Sequence, residues 1–250
     1  MKNPARANHA IGNHAIPLEE RIIFALDVAD SRSAEVLIEQ LAGHIRFFKV
    51  GLQLFFAAGW PIVEAITRRG CKVMLDLKLY DIPETVRLAV RQFADRGITF
   101  TTVHASVPVM EAALAADSGV GILAVTVLTS SGQAELEALR YPGSLEDLVL
   151  KRAGDAVHLG CAGVVASAQE AALLRQSLGG HFHIVTPGIR PAGAPSHDQE
   201  RISTPGLALL HGADYLVIGR PIRDAADPSA VVQAIQDDIK SALTGHQPQP

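Results

Sequence analysis

From Arg21 onward the chain alternates short, β-branched apolar runs with longer amphipathic stretches rich in Ala, Leu and Glu. In order, the apolar runs are RIIFALDV from 21, RFFKVGL from 46, KVMLDLKL from 72, ITFTTVHA from 98, GILAVTVL from 121, GVVAS from 163, HIVTPGI from 183 and YLVIGR from 215. Their length and composition predict strands. Between them SAEVLIEQLAG, PETVRLAVRQFADRG, SLEDLVLKRAG, AQEAALLRQSLGG and PSAVVQAIQDDIKSAL predict helices, several closed by a glycine suited to a left-handed stop. A βα unit repeated about eight times within 250 residues predicts a single-domain (β/α)8 TIM barrel. The runner-up, an open doubly wound sheet, would carry a Gly-rich phosphate turn after its first strand, and ALDVADSRS holds no GxGxxG.

The barrel is expected over residues 21–245, with no linker dividing it. Residues 1–20, MKNPARANHAIGNHAIPLEE, read as a poorly ordered extension, because Asn, Gly and Pro interrupt any amphipathic helix. The stretch PAGAPSHDQER, 191–201, is the longest with neither strand nor helix character, and its place after the seventh strand predicts a lid over the mouth where barrels keep their sites.

Composition narrows the partners. With 48% hydrophobic residues, 19% charged residues and a formal net charge of −4, the chain offers no basic field for nucleic acid and no polybasic patch for a membrane. No apolar run reaches the ~18 residues of a membrane span. Small molecules are the expected ligands. Cys71 and Cys161 read as small buried residues, which suits a reducing, cytoplasmic setting.

Charge appears where the strands end. In KVMLDLKL the side chains of Val73, Leu75, Leu77 and Leu79 share one face and those of Met74, Asp76 and Lys78 the other. Barrel strands press their aliphatic face against helices, so Asp76 and Lys78 are expected to line the interior near its C-terminal mouth. The same logic brings Asp27 and Lys49 from the first two strands to that opening. Left unpaired in a partly dry site, each charge would cost on the order of several kcal/mol, so the set is expected to form a network. Asp81 follows the third strand, and Pro83 opens the next helix with Ile82 held extended before it. At the last two strands Gly188 and Gly219, with Arg220, suggest an anion cradle.

Taken together, DLKLYDIPET, FALD, FKVGLQLF, VTVLTS, VTPGIRP, DQERI and VIGRP, in their order along the chain, resemble the orotidine 5′-phosphate decarboxylase family. The resemblance implies cofactor-free decarboxylation of orotidine 5′-monophosphate to UMP and CO2, the last step of UMP biosynthesis. It implies that Lys78 delivers the proton to C6 within a network of Lys49, Asp76, Lys78 and Asp81, and that Asp76 sits beside the departing carboxylate. It further assigns Asp27 and Lys49 to ribose hydroxyls, Thr129 to the pyrimidine, Arg190, Gln199, Gly219 and Arg220 to the phosphate side, and Ile82 to substrate binding. Finally it implies a homodimer in which Asp81 and Thr85 reach the neighbouring subunit's site.

Two other readings compete. A metal-dependent sugar-phosphate lyase on the same barrel would use Asp27, Asp76 and His104 as ligands. A non-catalytic nucleotide-binding barrel would bind UMP without turnover.

Overall fold

The computed structural model describes residues 16–129, 133–138, 140–191 and 203–245. Eight strands run in chain order: β1 (Ile22–Ala25), β2 (Phe47–Gly51), β3 (Lys72–Leu79), β4 (Ile98–His104), β5 (Gly121–Val125), β6 (Gly163–Val165), β7 (His183–Thr186) and β8 (Tyr215–Ile218). They are parallel, each pairs with its sequence neighbours, and β1 closes on β8 through Ile23 opposite Val217. The helices are α1 (Leu18–Arg21), α2 (Ser31–Leu41), α3 (Leu52–Ala58), α4 (Trp60–Thr67), α5 (Pro83–Arg91), α6 (Val107–Ala115), α7 (Gln133–Ala138), α8 (Leu145–Leu159), α9 (Ala168–Leu178), α10 (Pro205–Leu210), α11 (Arg220–Arg223) and α12 (Pro228–Thr244). All eight predicted strands form, and the architecture is the expected closed (β/α)8 barrel.

Alternation along the strands sorts the apolar residues into two cores. Ile22, Phe24, Val73 and Leu75 point outward into the layer shared with the helices. Ile23, Phe47, Met74, Phe100 and Tyr215 point inward. Inside, Phe47 stacks on Phe100 at 5.7 Å and meets the edge of Tyr215 at 5.6 Å, so aromatic rings fill the lower barrel. Burying each such side chain contributes about 1.5–3 kcal/mol. Below the rings, the buried Arg21 donates to the Asp214 carbonyl, while the Asp214 carboxylate pairs with Arg175 and accepts from the Ile184 amide at 2.9 Å. The interior is thereby plugged at the N-terminal ends of the strands and open at the C-terminal ends.

Helix starts follow local chemistry. Asp30 accepts from the Ser33 amide at α2, Asp227 from the Ala230 amide at α12, and Ser144 with Asp147 forms a reciprocal capping box at α8. One predicted stop is wrong. Gly154, taken as the end of SLEDLVLKRAG, lies inside α8, and the helix runs on to Leu159 before Gly160 closes it at φ 87°. Burial of Ala153 and Ala156 on either side of Gly154 carries the helix past it.

The folded part also begins before Arg21. Leu18–Arg21 is a helical turn, held by Glu20, which accepts from Lys72 Nζ at 2.6 Å. Residues 1–15 of the expected extension lie outside the described residues. Both cysteines are free and buried, and burial pushes the Cys161 thiol up to about 12. Among the described residues no helix is long and apolar enough to cross a membrane.

The tightest backbone approach in the barrel wall is at Gly163, where an added Cβ would stand 2.3 Å from the His183 carbonyl oxygen. Backbone cannot yield there as a flexible side chain can. Gly163→Ala should therefore lower stability by about 1–3 kcal/mol in urea unfolding. Gly180→Ala, with nothing within 4 Å of its new methyl, should stay within about 0.5 kcal/mol of the parent. Equal midpoints for the two variants would contradict this picture of the wall.

Candidate active site

The open end of the barrel encloses a cavity of about 450 Å³, within the usual range for a small-molecule site. Each of the first three strands delivers charge to it. Asp27 lies two residues past β1, Lys49 is in the middle of β2, and Asp76 and Lys78 lie on β3. Lys49 Nζ stands 3.0 Å from Asp27 Oδ1 and 3.6 Å from Asp76 Oδ2, and Lys78 Nζ stands 2.8 Å from the same Asp76 oxygen. Thr102, on β4, donates its hydroxyl to the other oxygen, Asp76 Oδ1, at 2.8 Å.

These contacts fix the charge states. Burial opposes ionisation of Asp76, yet Lys49, Lys78 and the hydrogen bonds from Lys78 and Thr102 outweigh it and hold the carboxyl below the usual carboxylate range. Burial likewise opposes the Lys49 ammonium, but Asp76 and Asp27 hold it above the usual lysine range. Asp76 and Lys49 are consequently both ionised at neutral pH. Gly51 leaves room for it, since a Cβ there would come within 3.2 Å of Lys49 Nζ.

The backbone bends at the lysine. Lys78 has φ 46°, in the left-handed region that costs a residue with a Cβ about 1–2 kcal/mol. Leu75 pairs with Thr101 and Leu79 with Val103, so four steps along β3 match two along β4. Such a bulge re-aims side chains at a strand end. The predicted inward facing of Asp76 and Lys78 holds, although the strand is not the regular one that alternation assumes.

Gly188 and Arg190 follow β7, across the closed barrel from β3, while Gly219, Arg220 and Arg223 follow β8, next to β1; together they form a cationic end of the cavity. Gly188 adopts φ 77°, and Ile189 bridges Ser203, which pins the two stems of the segment between them. Arg223 donates to the Asp27 carbonyl at 2.7 Å and pairs with Asp224. The rest of the cavity wall is largely apolar, with Met74, Val125, Val165 and Val217.

Of the residues singled out in the sequence, the structure brings Asp27, Lys49, Asp76, Lys78, Thr129, Arg190, Gly219 and Arg220 to one cavity. Asp81, Ile82 and Thr85 stand exposed at the rim, outside the lining of their own chain's cavity. Gln199, and the segment 192–202 of the expected lid, lie outside the described residues. His104 does not join Asp27 and Asp76 as a ligand set. Its ring meets Tyr80 edge-on at 5.4 Å, and burial, with Arg152 and Lys78 nearby, holds it below the usual histidine range. Thr102 and Arg223 went unnoticed in the sequence. The inward alternation of Phe100, Thr102 and His104 was enough to find the first, while nothing local marked the second.

The Asp76 shift carries a sign that can be tested. A carboxyl held low in the folded state contributes stability that is fully present above its unfolded value, near pH 3.9, and is lost as pH falls through the lowered folded value. Asp76→Asn leaves the buried Lys49 ammonium and the partly exposed Lys78 ammonium short of their partner, which should cost about 3 kcal/mol at pH 7. In urea unfolding this deficit should stay constant down to about pH 5 and shrink below about pH 4. A deficit that grew on acidification would show that the carboxyl is not held low.

Residues 20–235 match the family model described as "Orotidine 5′-phosphate decarboxylase / HUMPS family". The chain is similar to the orotidine 5′-phosphate decarboxylase of Rhodopseudomonas palustris strain BisA53, 48% identical over 231 residues, which covers 92% of this chain and 98% of the relative. It is 44% identical to that of Methylococcus capsulatus over 235 residues, covering 93% and 97%. Among solved structures it is similar to the orotidine 5′-phosphate decarboxylase from Lactobacillus acidophilus, with TM-score 0.77, 36% identity, and coverage of 88% of this chain and 99% of that one.

Proposed function

The chain belongs to the orotidine 5′-phosphate decarboxylase / HUMPS family, and we propose that it converts orotidine 5′-monophosphate to UMP and CO2 by proton delivery from Lys78. The observation that carries this reading is the contact of Lys78 Nζ with Asp76 at 2.8 Å inside the cavity whose cationic end Gly188, Arg190, Gly219 and Arg220 form. A nucleotide laid between the ends would set its phosphate among the arginines and its ribose hydroxyls beside Asp27 and Lys49. Its pyrimidine would lie along Thr129 and the apolar wall, with C6 facing Lys78.

In that pose the substrate carboxylate meets Asp76. The bond from C6 to the carboxylate carbon breaks, CO2 leaves, and the electron pair stays on C6 until the Lys78 ammonium transfers its proton there. Asp76 is a fixed negative charge beside a group that loses its own charge on leaving, so it opposes the ground state more than the transition state. Lys78 is a fixed positive charge beside the carbon that gains charge, and it needs no reorganisation as the reaction proceeds. None of these steps uses a metal or an organic cofactor.

The same reading makes the active unit a homodimer, in which Asp81, Ile82 and Thr85 complete the neighbouring subunit's site. It is supported by the exposure of these residues on the rim and by the large apolar side chains on either side of Asp81, Tyr80 at 69% and Ile82 at 68% exposed. Side chains of this size left in water are a feature of association surfaces. Gln199 and the segment around it would close over the phosphate, so that binding energy remote from C6 helps assemble the reacting centre.

A spectrophotometric assay with orotidine 5′-monophosphate tests the reading: turnover should persist in excess EDTA, and Lys78→Ala should still bind UMP while losing at least about a thousandfold in kcat. Substantial turnover by Lys78→Ala would remove the lysine as proton donor. The shared site has its own test. Lys78→Ala and Asp81→Asn, each inactive alone, should on mixing and subunit exchange regain about a quarter of wild-type activity, since half the dimers are mixed and each holds one intact site. No recovery after demonstrated exchange would confine each site to one chain.

A further inference from the structure

Lys78 needs something to hold it in its left-handed backbone conformation, φ 46°. Its amide donates to the hydroxyl of Thr102, on β4, at 2.9 Å. That hydroxyl carries a single proton, and it donates it to Asp76 Oδ1 at 2.8 Å. Through its other oxygen, Asp76 receives the Lys78 ammonium at 2.8 Å. The three residues therefore close a ring: lysine backbone to threonine hydroxyl, hydroxyl to carboxylate, carboxylate to lysine side-chain tip. Thr102 is fully buried, sits in register with Leu123 of β5, and has a branched side chain that is stiff about χ1. It is a rigid anchor on the strand beside the one that bends.

We propose that Thr102 is a positioning residue for proton delivery, tying the Lys78 backbone and the Asp76 carboxylate into one unit so that the ammonium is aimed before substrate arrives. The proposal rests on the decarboxylase reading above. Thr102 is not part of the cavity lining, so its hydroxyl acts through Lys78 and Asp76 and not on the substrate. Its loss should consequently appear in the chemical step and not in binding.

The test replaces Thr102 in the intact protein by Val, Ser and Cys and measures kcat and KM for orotidine 5′-monophosphate, with UMP affinity by calorimetry. Thr102→Val keeps the branched shape and removes the hydroxyl. It should lower kcat about 10- to 100-fold, the usual effect of losing a hydrogen bond to a charged group. KM and UMP affinity should stay within about threefold of wild type. Thr102→Ser keeps the donor and acceptor and should recover kcat to within about threefold, while Thr102→Cys, a weak donor, should fall between Ser and Val.

A wild-type kcat in Thr102→Val, a Ser variant as slow as Val, or a loss residing in KM would each overturn the proposal. Should Thr102→Val not fold, the comparison of Ser with Cys decides: a slower Cys variant supports the positioning role, and equal rates overturn it. Wild-type protein without turnover of orotidine 5′-monophosphate would overturn the underlying reading and the proposal with it. Active wild type alongside an equally active Thr102→Val would overturn the proposal alone.

Discussion

The Asp76 carboxylate is the point on which the open end of the barrel is built. It is 8% exposed, and both of its oxygens are committed, one to Lys49 and Lys78 and the other to Thr102. Removing any one partner from a buried charge costs more than the pair contributes, because the remaining charge is left short of compensation in a poorly screened site. Its partners come from β2, β3 and β4, and Lys49 passes the network on to Asp27 beyond β1. The cluster can form only when four strands are in register. A one-residue slip of β3 would turn Asp76 out to the apolar helix layer that Val73 and Leu75 now occupy, and turn those two residues inward.

This dependence on register explains why the cluster and the barrel walls have to be considered together. The outward residues of β3 set its register by packing under the helices, and that packing places the inward charges. The cluster itself balances, with Asp27 and Asp76 against Lys49 and Lys78, while the β7 and β8 side of the cavity carries Arg190, Arg220 and Arg223 as its arginine end. An anionic ligand is therefore drawn by the arginine end and oriented by the balanced end. The apolar wall of the cavity lowers the local dielectric and strengthens both effects. That asymmetry fits the proposed nucleotide monophosphate, whose phosphate and reacting carbon lie at opposite ends.

What could be read from the chain follows the reach of each signal. Period-two alternation is local, so it predicted the eight strands, the inward side of Asp76 and Lys78, and the entry of Asp27 and Lys49 into the same opening. Features set by distant contacts were hidden. The turn Leu18–Arg21 looked like part of a loose tail because its hold, Glu20 on Lys72, spans 52 residues. Gly154 looked like a helix stop because the burial of Ala153 and Ala156 on either side of it leaves no trace in local propensity. The left-handed φ of Lys78 has no sequence mark at all, since lysine is not a residue that favours it. Thr102 differs from these: the alternation that revealed Asp76 applies equally to ITFTTVH, but a threonine in a β-branched strand passes as ordinary strand filler.

The two ends of the barrel carry opposite energetic burdens. At the open end the chain holds like charges within one cluster, bends β3 into a bulge and keeps a lysine in a disfavoured backbone region, all of which oppose folding. At the closed end the stacked rings of Phe47, Phe100 and Tyr215 and the Arg21, Arg175 and Asp214 network bury large surfaces with partners for the charges they enclose. Both ends share the same eight strands, and β3 shows the division within one element: Met74 packs in the inner apolar cluster and Asp76, two residues on, lies in the charge cluster. Apolar packing one pleat below thus fixes where the charged residues must stand, and their strain is borne by a wall that does not depend on them. A site of fixed charges that must not relax during a reaction needs this kind of support, because a looser wall would let the lysine turn away from the acid and discharge the strain instead of holding it.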